Sequence, residues 1–179
     1  MNSALMRPQA LSRLISSLLV IVHCGIITAA FVYQYTTNQA PCPLCFLQRV
    51  AMIGIAVGQL LNFRFGIKMS HHAISLFHCV FGAGVSLRQI SLHVCPGSPT
   101  FGTPVLGYGL YTWALISFVC SIIAIGGLML LYNPSWKPFH SKALTLMERF
   151  AFLFTLAIII ADIVSIGMIC GFTPCPDNP

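Results

Sequence analysis

Five long apolar stretches, separated by short polar breaks, dominate the chain. They run over about 11–33, 44–63, 71–93, 105–132 and 144–169. Each reaches the roughly 20 residues that an α-helix needs to cross the hydrocarbon of a bilayer. The breaks carry turn chemistry: "TTNQAPCP" is polar, "FRFGIK" is basic with a glycine, "VCPGSPTFGTP" is rich in Gly and Pro, and "NPSWKPFHSK" holds two prolines. The pattern predicts an all-α, polytopic membrane protein forming one domain over 1–179. Arg7 and Arg13 give the first stretch the basic start of a signal peptide. It is longer than a usual signal core and further spans follow, so it is expected to be an uncleaved anchor. Gly82, Gly84, Gly126 and Gly127 are expected to let helices approach closely.

Composition strengthens this picture. Hydrophobic residues make up 57% of the 179 positions and charged residues only 7%, against about 25% charged in a soluble domain. The net charge of +6 has a topological reading rather than a nucleic-acid one. Arg7 and Arg13, then Arg64 and Lys68, then Lys137, Lys142 and Arg149 lie in alternate segments, and the intervening loops and the tail have no Lys or Arg. The positive-inside rule puts the N-terminus in the cytoplasm and the C-terminus outside.

That orientation sorts the eight cysteines. Cys24, Cys79 and Cys120 fall near span centres and are expected to pack as small buried hydrophobes. Cys42, Cys45, Cys95, Cys170 and Cys175 lie at the outer face, where disulfides persist in a bacterium. The C-x-x-C of "PCPLCFLQRV", residues 41–50, is a candidate zinc half-site, haem attachment or redox dithiol. Structural zinc wants four close ligands, and His93 and Cys95 are the extra candidates. Haem attachment needs C-x-x-C-H, and Phe46 occupies the histidine position.

Redox chemistry fits the surroundings better. Pro43 suits the first position of a helix, which puts Cys42 near its N-cap and Cys45 in its first turn. The partial positive charge of a helix N-terminus favours thiolate, the reactive form. Cys42, Cys45 and Arg49 are spaced i, i+3, i+7 and share one face. An arginine inside a span is a functional residue by default, with snorkelling to the headgroups as the alternative. Arg88 and Asp162 lie in the same leaflet, roughly 7 and 12 Å deep, and are expected to pair. Gln48 and Gln89 add polar groups nearby. Polar side chains beneath a thiolate, within lipid, suit a quinone, with Arg49 donating to a ring oxygen. No metal is required.

The stretch "CPLCFLQR" at 42–49 resembles the C-x-x-C-x-x-(Q/E)-R signature of the DsbB-type disulfide bond formation proteins. "SLRQISLH" and "GLYTWALISF" are similar to further segments of that family, so the resemblance covers about 11–132. It implies an antiparallel four-helix bundle in the bacterial inner membrane that binds ubiquinone or menaquinone. Such a protein reoxidises a periplasmic DsbA-type thioredoxin-like partner and passes two electrons to the quinone. By position, Cys42 and Cys45 are the quinone-proximal pair, Cys45 contacts the ring, and Arg49, with Gln48 and Arg88 as further candidates, binds the quinone.

Two departures follow. The loop between spans three and four is short and holds one cysteine, Cys95, where better-known members carry a second redox pair. A fifth span ends in "CGFTPCPDNP". Either Cys170 and Cys175 form the partner-facing pair, or Cys95 bridges to one of them. A structural clip between the tail cysteines is a third arrangement. Two other functions stay open: a quinone-coupled enzyme of the vitamin K epoxide reductase type, and a non-enzymatic protein binding copper through Cys, His and Met.

Overall fold

The computed structural model describes residues 3–37, 42–93, 104–134 and 146–171. Among them every regular element is helical: α1 (Ser3–Thr37), α2 (Pro43–Phe65), α3 (Met69–His93), α4 (Leu110–Leu131) and α5 (Leu146–Cys170). All five are long and apolar enough to cross a membrane. With no water in hydrocarbon to satisfy backbone groups, helices close their own hydrogen bonds within each span. Beyond the apolar stretch of the first span, α1 continues toward the N-terminus.

Consecutive helices α1 to α4 pack side by side, and α5 lies against α1 and α2. The α2–α3 connection is only Gly66 to Lys68, and Gly66 sits at φ 83° and ψ 160°, a region open essentially to glycine. The shared core joins Val20, Ile27 and Phe31 of α1 to Ile55 of α2 and to Phe118 and Ile125 of α4. The outward faces are also apolar, as Leu130 at 89% and Met168 at 77% exposure show. Such a protein is sorted by size and polarity rather than by hydrophobicity, because lipid is as apolar as the core. Small and polar residues accordingly turn inward, among them Ser16, Gln59, Ser75, Ser121 and Thr155.

Two buried networks tie the helices together. Ser16 Oγ donates to Gln59 Oε1 at 2.8 Å, and Gln59 Nε2 donates to Ser75 Oγ at 2.9 Å, linking α1, α2 and α3. Arg13 of α1 pairs with the buried Glu148 of α5. Of the glycines expected to bring helices together, Gly82 does so against the Phe118 ring. Gly84, Gly126 and Gly127 have no atom near the space a Cβ would take, and it is Gly54 and Gly58 that set the α2–α3 approach, against His78 and Ser75. Gly58→Val is expected to cost about 1–3 kcal/mol by overpacking, read as a lower unfolding midpoint in detergent. An unchanged midpoint would show that α3 yields freely at this point. Cys24 and Cys79 are buried as expected, whereas Cys120 is exposed on α4, because its helix phase turns it toward the lipid side.

Candidate functional site

The site begins at the first turn of α2. Cys42 is the N-cap, in extended backbone at φ −70° and ψ 159°, and Pro43 follows in the first turn. The Cys42 carbonyl accepts from the Cys45 and Phe46 N–H groups at 2.9 and 3.3 Å. The Cys42 sulfur takes a second contact from the Cys45 N–H at 3.4 Å. This places the two sulfurs 2.9 Å apart, as free thiols in contact.

Hydrogen bonding from the Cys45 side chain, opposed by burial and aided by the backbone N–H groups of the first turn, pulls the Cys42 thiol down to about 6. At neutral pH the reduced pair therefore carries a thiolate on its half-buried N-cap cysteine. Alkylation of the fully reduced protein by iodoacetamide is expected to be half-maximal near pH 6. The thiolate is present above that pH and lost below it, so the rate should be flat by about pH 8. A rate still climbing there would show that Cys42 is an ordinary thiol.

Gln89 of α3 reaches across to both sulfurs, 3.4 Å from Cys42 Sγ and 3.5 Å from Cys45 Sγ. Gln48 Nε2 donates to its Oε1 at 2.8 Å. A turn deeper, Arg49 is buried, with 5% exposure. Its Nη2 donates to Gln34 Oε1 of α1 at 2.9 Å. Its guanidinium lies 4.4 Å from the Phe31 ring centroid and 5.7 Å from that of Phe46. Arg49 is thus held inside the bundle and does not snorkel.

A cavity of about 510 Å³ opens beside these groups, lined by Cys45, Gln34, Gln48, Arg49 and Gln89 among largely apolar side chains. Its apolar wall comes from α1, including Ile26 and Ala29, and from α4, including Trp113 and Ile116. Those two helices pack against each other more sparsely than the consecutive pairs α1–α2, α2–α3 and α3–α4 do. The volume falls in the range of small-molecule and cofactor sites, which combine apolar walls with a few fixed polar groups.

The candidate residues are not all brought together. Cys42, Cys45, Gln48 and Arg49 converge. Arg88 is exposed and does not line the cavity. One residue is about 100° of helix turn, so with Gln89 facing inward Arg88 turns out. The expected Arg88–Asp162 pair is corrected for the same reason: Asp162 pairs with Arg49, Nη1 to Oδ1 at 3.8 Å. Cys170 is the last residue of α5, eight residues beyond Asp162 and so at the end of the bundle where α2 begins. Cys95 and Cys175 lie outside the described residues. His93 stacks on Tyr111, with ring centroids 5.2 Å apart. Among the described residues no three His, Cys, Asp or Glu side chains converge as a metal site would require.

Gln34 escaped the sequence analysis, and Gln89 entered it only as a nearby polar group, with no role at the two sulfurs. The signal available was a glutamine in the dithiol-side half of an apolar span, where an uncharged amide is costly without a partner.

Comparison with known proteins finds one family and several named relatives. The family model described as "Disulfide bond formation protein DsbB" matches residues 12–103. A protein of Pseudomonas syringae pv. tomato named "Disulfide bond formation protein B" is 30% identical over 141 residues, covering 60% of this chain and 83% of the relative. "Disulfide bond formation protein B 1" of Pseudomonas fluorescens is 27% identical over the same shares. A Cupriavidus metallidurans relative, also named "Disulfide bond formation protein B", reaches 47% over 53 residues, 30% of this chain and 33% of its own. No solved structure matches the chain.

Proposed function

Because the chain belongs to the DsbB family of disulfide bond formation proteins, a multi-pass membrane oxidoreductase, we propose that it is a thiol:quinone oxidoreductase. It oxidises the two thiols of a periplasmic, DsbA-type thioredoxin-like protein and passes two electrons to ubiquinone or menaquinone. The observation that carries the reading is that Cys45 and Arg49 border one cavity of about 510 Å³ within the membrane-spanning part of the bundle. The residues suit a quinone head. The walls are apolar, and the buried Arg49 Nη1 has no hydrogen-bond partner among the described residues, so a donor is available to a ring oxygen.

The two cysteines divide the work. Cys42 lies at the open end of α2 and does not line the cavity; Cys45 does. In the oxidised protein an incoming thiolate attacks the Cys42 sulfur and breaks the Cys42–Cys45 bond. A second thiolate of the same donor pair resolves the mixed disulfide, leaving the donor pair oxidised and Cys42 and Cys45 reduced. A bound quinone supplies an acceptor for two electrons and two protons. Cys45 gives up the electron pair at the cavity wall while the Cys42 thiolate closes on its sulfur, 2.9 Å away. Gln89 holds both sulfurs during this closure, and Arg49 offsets negative charge beside Cys45.

Cys170 and Cys175 act as the second, partner-facing pair in this reading, with Cys95 as the alternative bridge. The alternation of basic and neutral segments supports an inner-membrane protein with its dithiol facing the periplasm. The test uses purified, reduced protein in detergent with a short-chain ubiquinone and a menaquinone. One quinone reduced for every two thiols lost is expected. Thiols that survive both quinones would overturn the assignment.

A further inference from the structure

The fifth helix reaches the Arg49 cluster twice. Asp162 Oδ1 faces Arg49 Nη1 at 3.8 Å, with both side chains almost fully buried, at 4% and 6% exposure. One turn further on, Ser165 Oγ accepts from Gln34 Nε2 at 3.4 Å. That glutamine is the one whose Oε1 takes the Arg49 Nη2 hydrogen bond. Arg49 is therefore braced on one side through Gln34 by Ser165, and on the other by the charge of Asp162. Both braces come from α5, well beyond the part of the chain that matches the family model, residues 12–103.

The pair is also loose. At 3.8 Å it is an ion pair without a hydrogen bond, and neither Nη1 nor Oδ1 has a hydrogen-bond partner among the described residues. Arginine–carboxylate pairs frequently close into a bidentate fork, and this one does not. Here the carboxylate offsets the charge, Gln34 fixes Nη2, and the Nη1 N–H stays unused beside the cavity.

We propose that Asp162 is a positioning residue for this site: through Arg49 it sets the charge felt by the Cys42–Cys45 pair and the orientation of Arg49 at the cavity. The fifth helix is then part of the redox centre rather than an appended span. The orientation half of this inference rests on the quinone reading of the cavity. The charge half does not, since it concerns the dithiol alone.

The physical consequence has a sign. Removing the carboxylate charge leaves Arg49 uncompensated beneath the dithiol. A nearby cation stabilises thiolate. The reduced pair carries a thiolate and the disulfide carries none, so reduction becomes easier and the couple more oxidising.

The experiment compares wild type with Asp162→Asn, Asp162→Glu and Ser165→Ala, purified in detergent. The first readout needs no quinone: the fraction of reduced Cys42–Cys45 at equilibrium with glutathione buffers. Asp162→Asn is expected to shift that equilibrium toward the dithiol about tenfold, equal to about 30 mV for a two-electron couple. Asp162→Glu keeps the charge and should restore the wild-type equilibrium. The second readout is the apparent KM for a short-chain ubiquinone. It should rise about tenfold in Asp162→Asn and less in Ser165→Ala, because a misplaced binding group weakens substrate positioning. A carboxylate needed only for folding would lower yield and unfolding midpoint while the folded fraction kept both values. An Asp162→Asn protein with the wild-type glutathione equilibrium overturns the inference. If the wild-type protein reduces no quinone, the proposed function fails, and the glutathione equilibrium still decides the role of Asp162.

Discussion

Cys45→Ser is expected to abolish quinone reduction, with single-turnover rates falling by about 1,000-fold or more. The reason is positional. Of the two sulfurs, only that of Cys45 belongs to a residue that lines the cavity, and a serine oxygen can neither form a disulfide nor deliver an electron pair. The same variant should keep its reactivity at the open end. Cys42 retains the first-turn N–H contacts that favour its thiolate, although it loses the Cys45 thiol as a partner. It should therefore displace thionitrobenzoate from a thioredoxin-like protein whose single remaining active-site cysteine carries that group, forming a mixed disulfide that neither protein has a second thiol at the site to release. The converse variant, Cys42→Ser, should keep a thiol at the cavity and be unable to close the disulfide. Stopped-flow absorbance of the quinone and non-reducing electrophoresis of the mixed disulfide separate the two. Substantial quinone reduction by Cys45→Ser would mean that electrons leave by a route other than the cavity wall.

Much of this site was legible in "PCPLCFLQRV". Proline at 43, apolar residues after it and the i, i+3, i+7 spacing of Cys42, Cys45 and Arg49 dictate an N-capped helix with one chemical face. Those are local properties, so a single sequence carries them. The fold class was legible for a similar reason: five stretches each long enough to cross hydrocarbon leave few other architectures. What the sequence did not reveal depends on helix rotation. Arg88 and Gln89 are adjacent, and nothing local says which turns inward; the bundle selects Gln89. In lipid both faces of a span are apolar, so periodicity offers little phase information, and buried positions are marked only by small or polar residues. Asp162 was visible as a buried charge, but its partner was misassigned, because pairing across 113 positions of chain is set by how α5 docks on α1 and α2. Cys120 and the glycines of α4 show the same limit.

Arg49 is where fold and chemistry coincide, and its replacement should show both. Arg49→Met removes the cation and leaves Asp162 buried with no opposite charge. Breaking a buried pair from one side costs about 3–5 kcal/mol, so the unfolding midpoint should fall clearly. Gln34 also loses its Nη2 donor, and the Phe31 ring loses the guanidinium over its face. Quinone reduction should suffer further, through a higher apparent KM and a lower maximal rate. Arg49→Lys separates the two effects. It restores a charge for Asp162, and stability should largely recover. It does not restore the planar fork, because the donors of an ammonium all radiate from one nitrogen and cannot span the separate positions of Gln34, Asp162 and a ring oxygen. Lysine should thus behave as a stable protein with a persistent KM defect of about tenfold or more. The pair of variants distinguishes a charge that merely neutralises Asp162 from a guanidinium that binds. Full recovery of KM by Arg49→Lys would assign Arg49 the first role only, and the quinone-binding donor would then have to be sought among Gln34, Gln48 and Gln89, the other polar residues of the cavity wall.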